Sequence, residues 1–260
     1  MKPPWASDFK MRKLFWHIIG LCCICIVTGC GISDDCWKGN GRRIYQTFPL
    51  ENFTKIKVYE GIGLVVKEGP NYEVKIAAPS SILDNIEVKM DGSMLVVKDR
   101  STCNLAREYG QTVVYVTTPS LEEIHSKTEQ EIKSDGVLTY PELRLYSIDI
   151  NDGAGTGDFI LTVNNLYVLV ESNNASNFFI SGQTNYLDVL FTWGNGRFMA
   201  NELRVNNIVN LFHRGSNDML FKTPSVFNGK LFSTGNLIVK EAPHQMNVQQ
   251  LFTGRVILNY

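Results

Sequence analysis

Three residues in the second half of the chain could form a sugar-binding surface. Trp193, His213 and Arg214 lie in short segments rich in Gly, Asn and Ser, and the two segments are about one repeat apart. We expect these segments to be equivalent corners of adjacent coils, which would make the three side chains neighbours. An aromatic face beside polar groups is typical of a carbohydrate site. In the alternative interpretation, Trp193 only covers the core at a loose corner.

The densest polar cluster in the chain is the segment 149–158, which reads Asp-Ile-Asn-Asp-Gly-Ala-Gly-Thr-Gly-Asp. Carboxylates beside a glycine-rich backbone are typical of calcium loops. An EF-hand loop, however, requires an Asp-x-Asn-x-Asp-Gly order and a Glu at the twelfth position, where this chain has Ile160. We therefore predict a solenoid corner without a metal, and calcium binding is the alternative.

Recognised catalytic arrangements are missing from the sequence. It contains neither a Gly-x-Ser-x-Gly elbow nor a His-Glu-x-x-His helix motif. The acidic and basic residues of the second half supply one or two charges per repeat, which a solvated face needs in any case. We therefore predict no catalytic residue, no cofactor and no metal ligand. A polysaccharide-active enzyme, with carboxylates along one groove, is kept as an alternative.

The elements that would position these residues follow from a repeat in the second half. Two ladders of apolar residues recur every 18 to 21 residues, with turns rich in Gly, Asn and Ser between them. The first ladder is Ile150, Val170, Leu190, Leu211, Leu231 and Leu251, and the second is Phe159, Phe178, Phe198, Met219, Leu237 and Val256. Since one copy cannot bury its own apolar face, the copies must stack.

The runs between the turns are four or five residues long and predict short strands rather than helices. We therefore predict an all-β fold, a right-handed single-stranded β-helix or solenoid with rungs of about 20 residues. Four phenylalanines follow the first ladder and are expected to stack in the core, while the Ser/Thr/His column beside them, including His213, should face the other way. These phenylalanines are Phe191, Phe212, Phe232 and Phe252.

The first half shows β patterns with a different layout. Apolar residues alternate with polar ones at period two through residues 46–140, and Asp91-Gly92 is a hairpin signal. This half is therefore predicted to be meander-like, with hairpins, and to lead into regular coils at 141–260. Because no Pro- or Ser-rich linker separates the halves, we predict one continuous β-solenoid domain over 46–260.

The N-terminus has the pattern of a secretory signal. Basic residues precede an apolar stretch at 14–27, which is too short to span a bilayer by itself. The stretch ends in Val-Thr-Gly-Cys, which resembles the lipobox of bacterial lipoproteins. We therefore predict a signal peptide at 1–29, lipidation of Cys30 and a tether at 30–45, with translation starting at Met1 or Met11. The acidic pair after Cys30 resembles a surface-export signal of Bacteroidetes lipoproteins, or is a solvated linker.

Charge and cysteine content limit the partners and the compartment. The chain has a net charge of −1, and removal of four basic and one acidic residue with the signal peptide leaves −4. Since nucleic-acid binding requires a basic patch, we predict no nucleic-acid partner. Cys36 and Cys103 remain in the processed chain, and in an oxidising envelope compartment they are either a disulfide or two buried thiols.

The first half also carries a family resemblance. The successive motifs Phe-Thr-Lys-Ile-Lys-Val at 53–58, Gly-Ile-Gly-Leu-Val-Val at 61–66 and Val-Tyr-Val-Thr-Thr-Pro-Ser-Leu at 114–121 are similar to those of the "putative auto-transporter adhesin, head GIN domain" family of envelope lipoproteins. The similarity covers roughly residues 45–260. It implies a right-handed β-helix-like fold at the cell envelope, and it implies no catalytic residues.

These observations predict a non-enzymatic binding or adhesion module that is lipid-anchored in the cell envelope, at the outer membrane. Its expected partners are the membrane, through the lipid anchor, and a glycan or a host or matrix surface. One alternative is a structural or sensory component that forms a homo-oligomer through the solenoid ends. The other is the polysaccharide-active enzyme.

Overall fold

A computed structural model describes residues 34–148, 150–153 and 155–259 of the chain. It contains 59% strand and 4% helix and forms a β-solenoid of about six turns, which confirms the predicted all-β fold. Short 3-10 turns span Asp34–Trp37, Leu83–Asn85 and Ile150–Asp152. The strands of the described residues are β1 (Arg43–Phe48), β2 (Lys55–Tyr59), β3 (Ile62–Glu68), β4 (Glu73–Pro79), β5 (Ile86–Asp91), β6 (Met94–Asp99), β7 (Thr112–Thr118), β8 (Glu123–Lys127), β9 (Ile132–Leu138), β10 (Glu142–Ser147), β11 (Phe159–Ser172), β12 (Phe178–Phe191), β13 (Phe198–His213), β14 (Met219–Leu231), β15 (Leu237–Val239), β16 (Gln245–Gln250) and β17 (Val256–Leu258).

The strands form two parallel stacks, which we call face 1 and face 2. Face 1 runs through β6, β2, β8 and β10, then through the second halves of β11 to β14, and ends at β16. Face 2 runs through β7, β3 and β9, then through the first halves of β11 to β14, and ends at β15 and β17. The long strands β11 to β14 therefore pass from face 2 to face 1 within each rung.

Antiparallel strands extend both faces at the N-terminal end. The hairpin β5–β6 extends face 1, and its Asp91-Gly92 turn has Gly92 at φ 59°, as the hairpin signal predicts. The strands β1 and β4 extend face 2 through β7. The strands β2 and β3, by contrast, lie inside the parallel stacks between strands that come later in the chain. The alternating sequence pattern could not show this, because it defines the buried face of a strand but not its partner.

The second predicted ladder forms the core beside face 2. Each member is in register with the next, from Phe159 through Phe178, Phe198, Met219 and Leu237 to Val256. The first five are fully buried, and the rings of Phe159 and Phe178 stack with centroids 4.6 Å apart. This column confirms the predicted stacking of copies.

The first predicted ladder is wrong by one residue in several rungs. Val170 is in register with Val189, not Leu190, and Val189 is in register with Leu211. Leu190 instead pairs with Glu171 on the outer side of face 1. Register shifts within β12 and β13 change the spacing from rung to rung, and a slip of one residue turns a side chain to the opposite side of the sheet.

The predicted phenylalanine column is wrong for the same reason. Phe191 is buried, but its neighbours in register are His213 and then Leu231. Phe232 and Phe252 are 36% and 62% exposed and lie outside the core. The His213 column therefore points into the solenoid together with Phe191, not away from it.

The described part of the predicted tether, residues 34–45, belongs to the folded body. The strand β1 begins at Arg43 and pairs with β4, and the turn Asp34–Trp37 is joined to a later loop. The structure places the sulfurs of Cys36 and Cys103 2.24 Å apart as a disulfide. The Arg107 guanidinium donates to the carbonyls of Asp35 and Cys103 at 2.9 and 3.2 Å. The bridge is thereby part of a hydrogen-bonded cap.

A ladder of side-chain hydrogen bonds follows the outer side of face 1. Tyr167 donates to one Asp188 oxygen at 2.8 Å, and Asn210 donates to the other at 2.8 Å. Asn228 donates to Asn210 at 3.2 Å, and Asn247 donates to Asn228 at 3.1 Å. The ladder links five successive rungs through their side chains.

Candidate functional site

The candidate site is built by the loops that turn the chain from face 1 to face 2. We call the segments 173–177, 192–197, 214–218 and 232–236 the corner loops. Backbone hydrogen bonds stack each loop on the previous one: the Gly196 N–H donates to the Asn174 carbonyl at 3.3 Å, and the Ser216 N–H donates to the Gly194 carbonyl at 3.4 Å. The solenoid thus places equivalent corner positions above one another.

Gly194 brings two corner loops close together. Its φ is +96°, and a Cβ at this position would lie 2.3 Å from the Asn174 carbonyl oxygen. A residue with a side chain would be strained there in both respects. The glycine therefore allows the loop that carries Trp193 to lie directly on the loop that carries Asn174.

A groove of about 510 Å³, which we call the corner cleft, lies across three of the corner loops and reaches the fourth. Its surface offers an indole, a guanidinium, amides and hydroxyls. The lining residues are Thr156, Asn173, Asn174, Ala175, Trp193, Gly194, Asn195, Arg214, Ser216 and Ser233.

The structure brings together two of the three residues predicted for a sugar site. Trp193 is 62% exposed, and Arg214 is exposed on the neighbouring loop. Both line the corner cleft. The Arg214 backbone N–H donates to the Phe191 carbonyl at 2.8 Å, which holds this residue at the end of the strand.

His213 does not belong to this surface, and its predicted place beside Trp193 and Arg214 is wrong. The side chain is fully buried and meets the edge of the Phe191 ring. Its Nδ1 accepts a hydrogen bond from the Gly215 N–H at 3.3 Å. Burial lowers the pKa of the imidazole below its ordinary value. The difference from Arg214 follows from the alternation of the strand, which turns adjacent residues to opposite sides.

Two asparagines that the sequence analysis treated as turn residues are part of the cleft. Asn174 is only 6% exposed, and its Nδ2 has no hydrogen-bond partner among the described residues. The buried Oδ1 of Asn173 is equally without a partner in that part of the chain. Buried polar atoms are nearly always paired in native proteins, so the two amides call for a ligand or water. The run Ser172-Asn173-Asn174 was the only sequence signal, and turn geometry explained it equally well.

A network of buried hydroxyls lies behind the cleft. The hydroxyls of Ser147 and Ser176 are 2.9 Å apart, and both donate to the Gly155 carbonyl at 3.0 and 3.1 Å. Gly155 tolerates no side chain, because a Cβ there would lie 2.5 Å from the Ser126 carbonyl. These contacts fix the backbone next to Thr156 and Ala175, two of the residues that line the cleft.

The polar segment 149–158 is only partly described, because Asp149 and Ala154 lie outside the described residues. Asp152 accepts hydrogen bonds from the Tyr59 hydroxyl at 3.1 and 3.2 Å, and it lies 3.7 Å from Lys57 Nζ and 3.9 Å from Lys127 Nζ. Its carboxylate therefore faces protein cations. Within the described ranges, no group of three His, Cys, Asp or Glu side chains is arranged to hold a metal ion.

The described residues also include no helix with the length and apolar character of a membrane span. The predicted signal peptide at 1–29 and the predicted lipidation site Cys30 lie outside the described residues.

Comparisons with known proteins agree with this architecture. The sequence profile of the family described as "Putative auto-transporter adhesin, head GIN domain" matches residues 52–243. No curated protein shows significant similarity to the chain.

Several solved structures are similar in fold. A crystal structure described as a putative adhesin from Bacteroides fragilis has 18% identity and a TM-score of 0.74, and the match covers 84% of this chain and 98% of that one. One described as a putative adhesin from Parabacteroides distasonis has 11% identity and a TM-score of 0.57 over 85% and 99% of the chains. Another from that organism, described as a putative lipid binding protein, has 11% identity and a TM-score of 0.58 over 84% and 98%.

Proposed function

The chain belongs to the family described as "Putative auto-transporter adhesin, head GIN domain", and we propose that it is a non-enzymatic binding and adhesion module of the cell envelope. Family membership supports a role in binding. The groups that line the corner cleft support the same role, because they recognise a ligand through hydrogen bonds and an aromatic surface. We assign no bond-breaking step to this site.

We propose the corner cleft as the contact site and a glycan as the ligand class. The observation that carries this proposal is an exposed indole, Trp193, in the same cleft as two polar atoms without a partner among the described residues, Asn173 Oδ1 and Asn174 Nδ2. An aromatic ring packs against the C–H face of a pyranose, and amides pair with its hydroxyls as both donors and acceptors. The exposed location on a rigid solenoid suits a ligand presented by another surface.

Binding of the processed chain to an array of glycans and matrix proteins tests this function. We expect a saturable glycan signal that Trp193→Ala reduces by about tenfold or more, since aromatic contacts dominate small binding sites. Trp37→Ala is the matched control, because Trp37 is similarly exposed, at 66%, but does not line the cleft. Equal losses in the two variants, or no glycan signal from folded protein, would refute the proposed site.

We also propose that Cys30 carries the lipid that anchors the protein in the envelope, at the outer membrane. The N-terminal sequence supports lipidation of Cys30, because basic residues are followed by an apolar stretch and then by Val-Thr-Gly-Cys. Cys30→Ala should leave an unprocessed chain without acyl groups in a cell that incorporates labelled fatty acid. Equal labelling of the variant would exclude Cys30 as the attachment site.

A second candidate role is self-association through the last described rung. Leu251, Phe252, Ile257 and Leu258 are all large apolar residues that are at least 40% exposed there. Exposed apolar side chains on strand edges favour association. Light scattering over a concentration series should show dimers that Phe252→Ser dissociates. A monomer at all concentrations would remove this candidate.

A further inference from the structure

We propose that the corner cleft selects an acidic sugar, a carboxylated pyranose whose carboxylate pairs with Arg214. This inference rests on the proposed glycan-binding function and names the ligand class of that same site. Trp193 alone would accept the ring of many sugars, whereas the charge and the hydrogen-bonding groups of the cleft limit which sugars can bind.

The charge of the cleft is the first argument. Arg214 is the one ionised group among the ten residues that line it, and none of these ten is an Asp or Glu. Lys55 of the first half, by contrast, is paired with the Glu123 carboxylate. No ion pair joins Arg214 to a carboxylate of the described residues. A planar guanidinium that is free of protein carboxylates fits a ligand carboxylate in a two-pronged geometry.

The buried amides are the second argument. Asn174 Nδ2 is a donor without an acceptor, and Asn173 Oδ1 is an acceptor without a donor, within the described residues. A sugar hydroxyl both donates and accepts, so vicinal hydroxyls can satisfy both atoms. A purely anionic ligand, such as inorganic sulfate, would satisfy Asn174 but would leave the Asn173 oxygen unpaired.

The aromatic surface is the third argument. Trp193 is 62% exposed in the same cleft, and an indole gains most from a flat apolar ring face. A simple anion offers no such face. A hexuronate unit of an acidic polysaccharide combines a ring face, hydroxyls and a carboxylate in one ligand and so matches all three features of the cleft.

Paired short oligogalacturonates are the probe, one with free carboxylates and one fully methyl-esterified. The ester replaces each carboxylate by a neutral methyl ester and leaves the ring hydroxyls unchanged, so a comparison of dissociation constants by calorimetry reports the contribution of the carboxylate. We expect the processed chain to bind the acid form about tenfold or more tightly than the ester. Raising the salt concentration should narrow that difference.

Arg214→Gln is the decisive variant. It should abolish the preference for the acid and leave affinity for the ester within about twofold, because only the charge-assisted contact is lost. Arg197→Gln removes the same charge from an exposed residue of a corner loop that does not line the cleft, and it should behave like the unaltered protein.

Asn174→Leu tests the hydrogen-bond argument separately. It should weaken both the acid and the ester by a similar factor while the unfolding midpoint is unchanged or raised, since the buried Nδ2 has no partner to lose.

Each outcome distinguishes the two proposals. Equal binding of acid and ester, weakened by Trp193→Ala, would overturn the acidic-sugar inference and leave the glycan-binding function intact. If neither form binds but other glycans bind through Trp193, the same conclusion follows. An acid preference that Arg197→Gln reduces as much as Arg214→Gln would mean that charge acts from outside the cleft, which also overturns the inference. Failure of every glycan would end both proposals.

Discussion

The two ends of the solenoid share one apolar core but differ in the other contacts that connect their strands. In the N-terminal part, ion pairs and a disulfide connect the strands: Lys55 and Glu123 lie 2.9 Å apart, and Cys36 is bonded to Cys103. In the coils from Phe159 onward, aromatic rings stack in the interior. On the outer side of face 1, hydrogen bonds between the side-chain amides of Asn210, Asn228 and Asn247, which we call the amide ladder, connect the rungs. Because the rungs of the coils repeat, the same uncharged contact can recur at equivalent positions. The first strands do not repeat in this way, and they are connected by individual ion pairs and the disulfide.

This difference also explains where the candidate site lies. Asp35 is an example of the polar contacts in the N-terminal part: hydrogen bonds from Lys38, Thr102 and Asn85 lower the pKa of its carboxyl to about 2. Lys55 and Glu123 of that region are likewise held in an internal pair. The corner loops are stacked by backbone hydrogen bonds and by the side chains of Asn217 and Asn236. Trp193 stays exposed there, and no ion pair joins Arg214 to a carboxylate of the described residues. The proposed binding surface therefore lies in the regular half.

The largest expected effect comes from breaking the ring stack. Phe178→Ala should lower the free energy of unfolding by about 3–5 kcal/mol, because it leaves a cavity in a fully buried column. Phe179→Ala is the control: the adjacent ring is 39% exposed on the opposite side of the strand and should cost about 0.5 kcal/mol or less. Urea denaturation followed by circular dichroism measures both. Similar losses would mean that the coils do not depend on the stack.

The next effect comes from the disulfide of the N-terminal part. Replacement of Cys36 and Cys103 by Ser should cost about 2–4 kcal/mol, because the bridge closes a long loop. The sequence separation is 67 residues. A reductant should lower the unfolding midpoint of the unaltered protein and leave that of the double variant unchanged. A reductant-insensitive midpoint in the unaltered protein would contradict this account.

A pH-dependent effect follows from His213 in the core of the coils. Burial lowers its folded-state pKa, so on acidification below about 6.5 the unfolded chain takes up the proton first and stability falls. His213→Leu removes this contribution, and its unfolding free energy should fall less between pH 7.5 and pH 5.5 than that of the unaltered protein. Parallel pH profiles would show that the imidazole does not contribute.

The smallest expected effects come from one side-chain contact in each part of the solenoid: the Asn228 hydrogen bonds in the coils and the Lys55 ion pair in the N-terminal part. Asn228→Ala removes two exposed hydrogen bonds, with Asn210 and Asn247, and Lys55→Met removes one partly exposed ion pair, with Glu123. Each change should cost about 1 kcal/mol or less. Only the cost of Lys55→Met should shrink at high salt, because screening weakens the ion pair with Glu123 and not the neutral amide ladder. If the cost of Asn228→Ala also fell at high salt, the proposed difference between the two parts of the solenoid would be contradicted.

The solenoid is predictable from the sequence because each stacked copy must bury an apolar side chain at an equivalent position. The column of Phe159, Phe178 and Phe198 has no register shift in its own positions, so spacing alone locates it. The first ladder failed because its spacing varies: Val170 is paired with Val189, one residue before the predicted Leu190, and a register shift then lengthens the step from Val189 to Leu211. A bulge inserts a residue without altering the apolar composition, and the pattern therefore cannot reveal it.

The site was predicted in part, for a related reason. Trp193 and Arg214 follow the ends of strands, so their corner placement depends little on register. His213 depends on a register that the sequence misplaced by one residue, and it is buried. Asn173 and Asn174 could not be separated from ordinary turn residues, because only the folded loops show that their amides are buried without partners.

The central claim is that the corner cleft binds an acidic sugar, and the fluorescence of Trp193 tests it most directly. After removal of residues 1–29, Trp37→Phe leaves Trp193 as the single tryptophan of the chain. Titration of this variant with short oligogalacturonates should change its emission saturably, with a midpoint that matches calorimetry and that Arg214→Gln shifts to higher concentration. Binding seen by calorimetry without any change in emission would place the ligand elsewhere and contradict the claim.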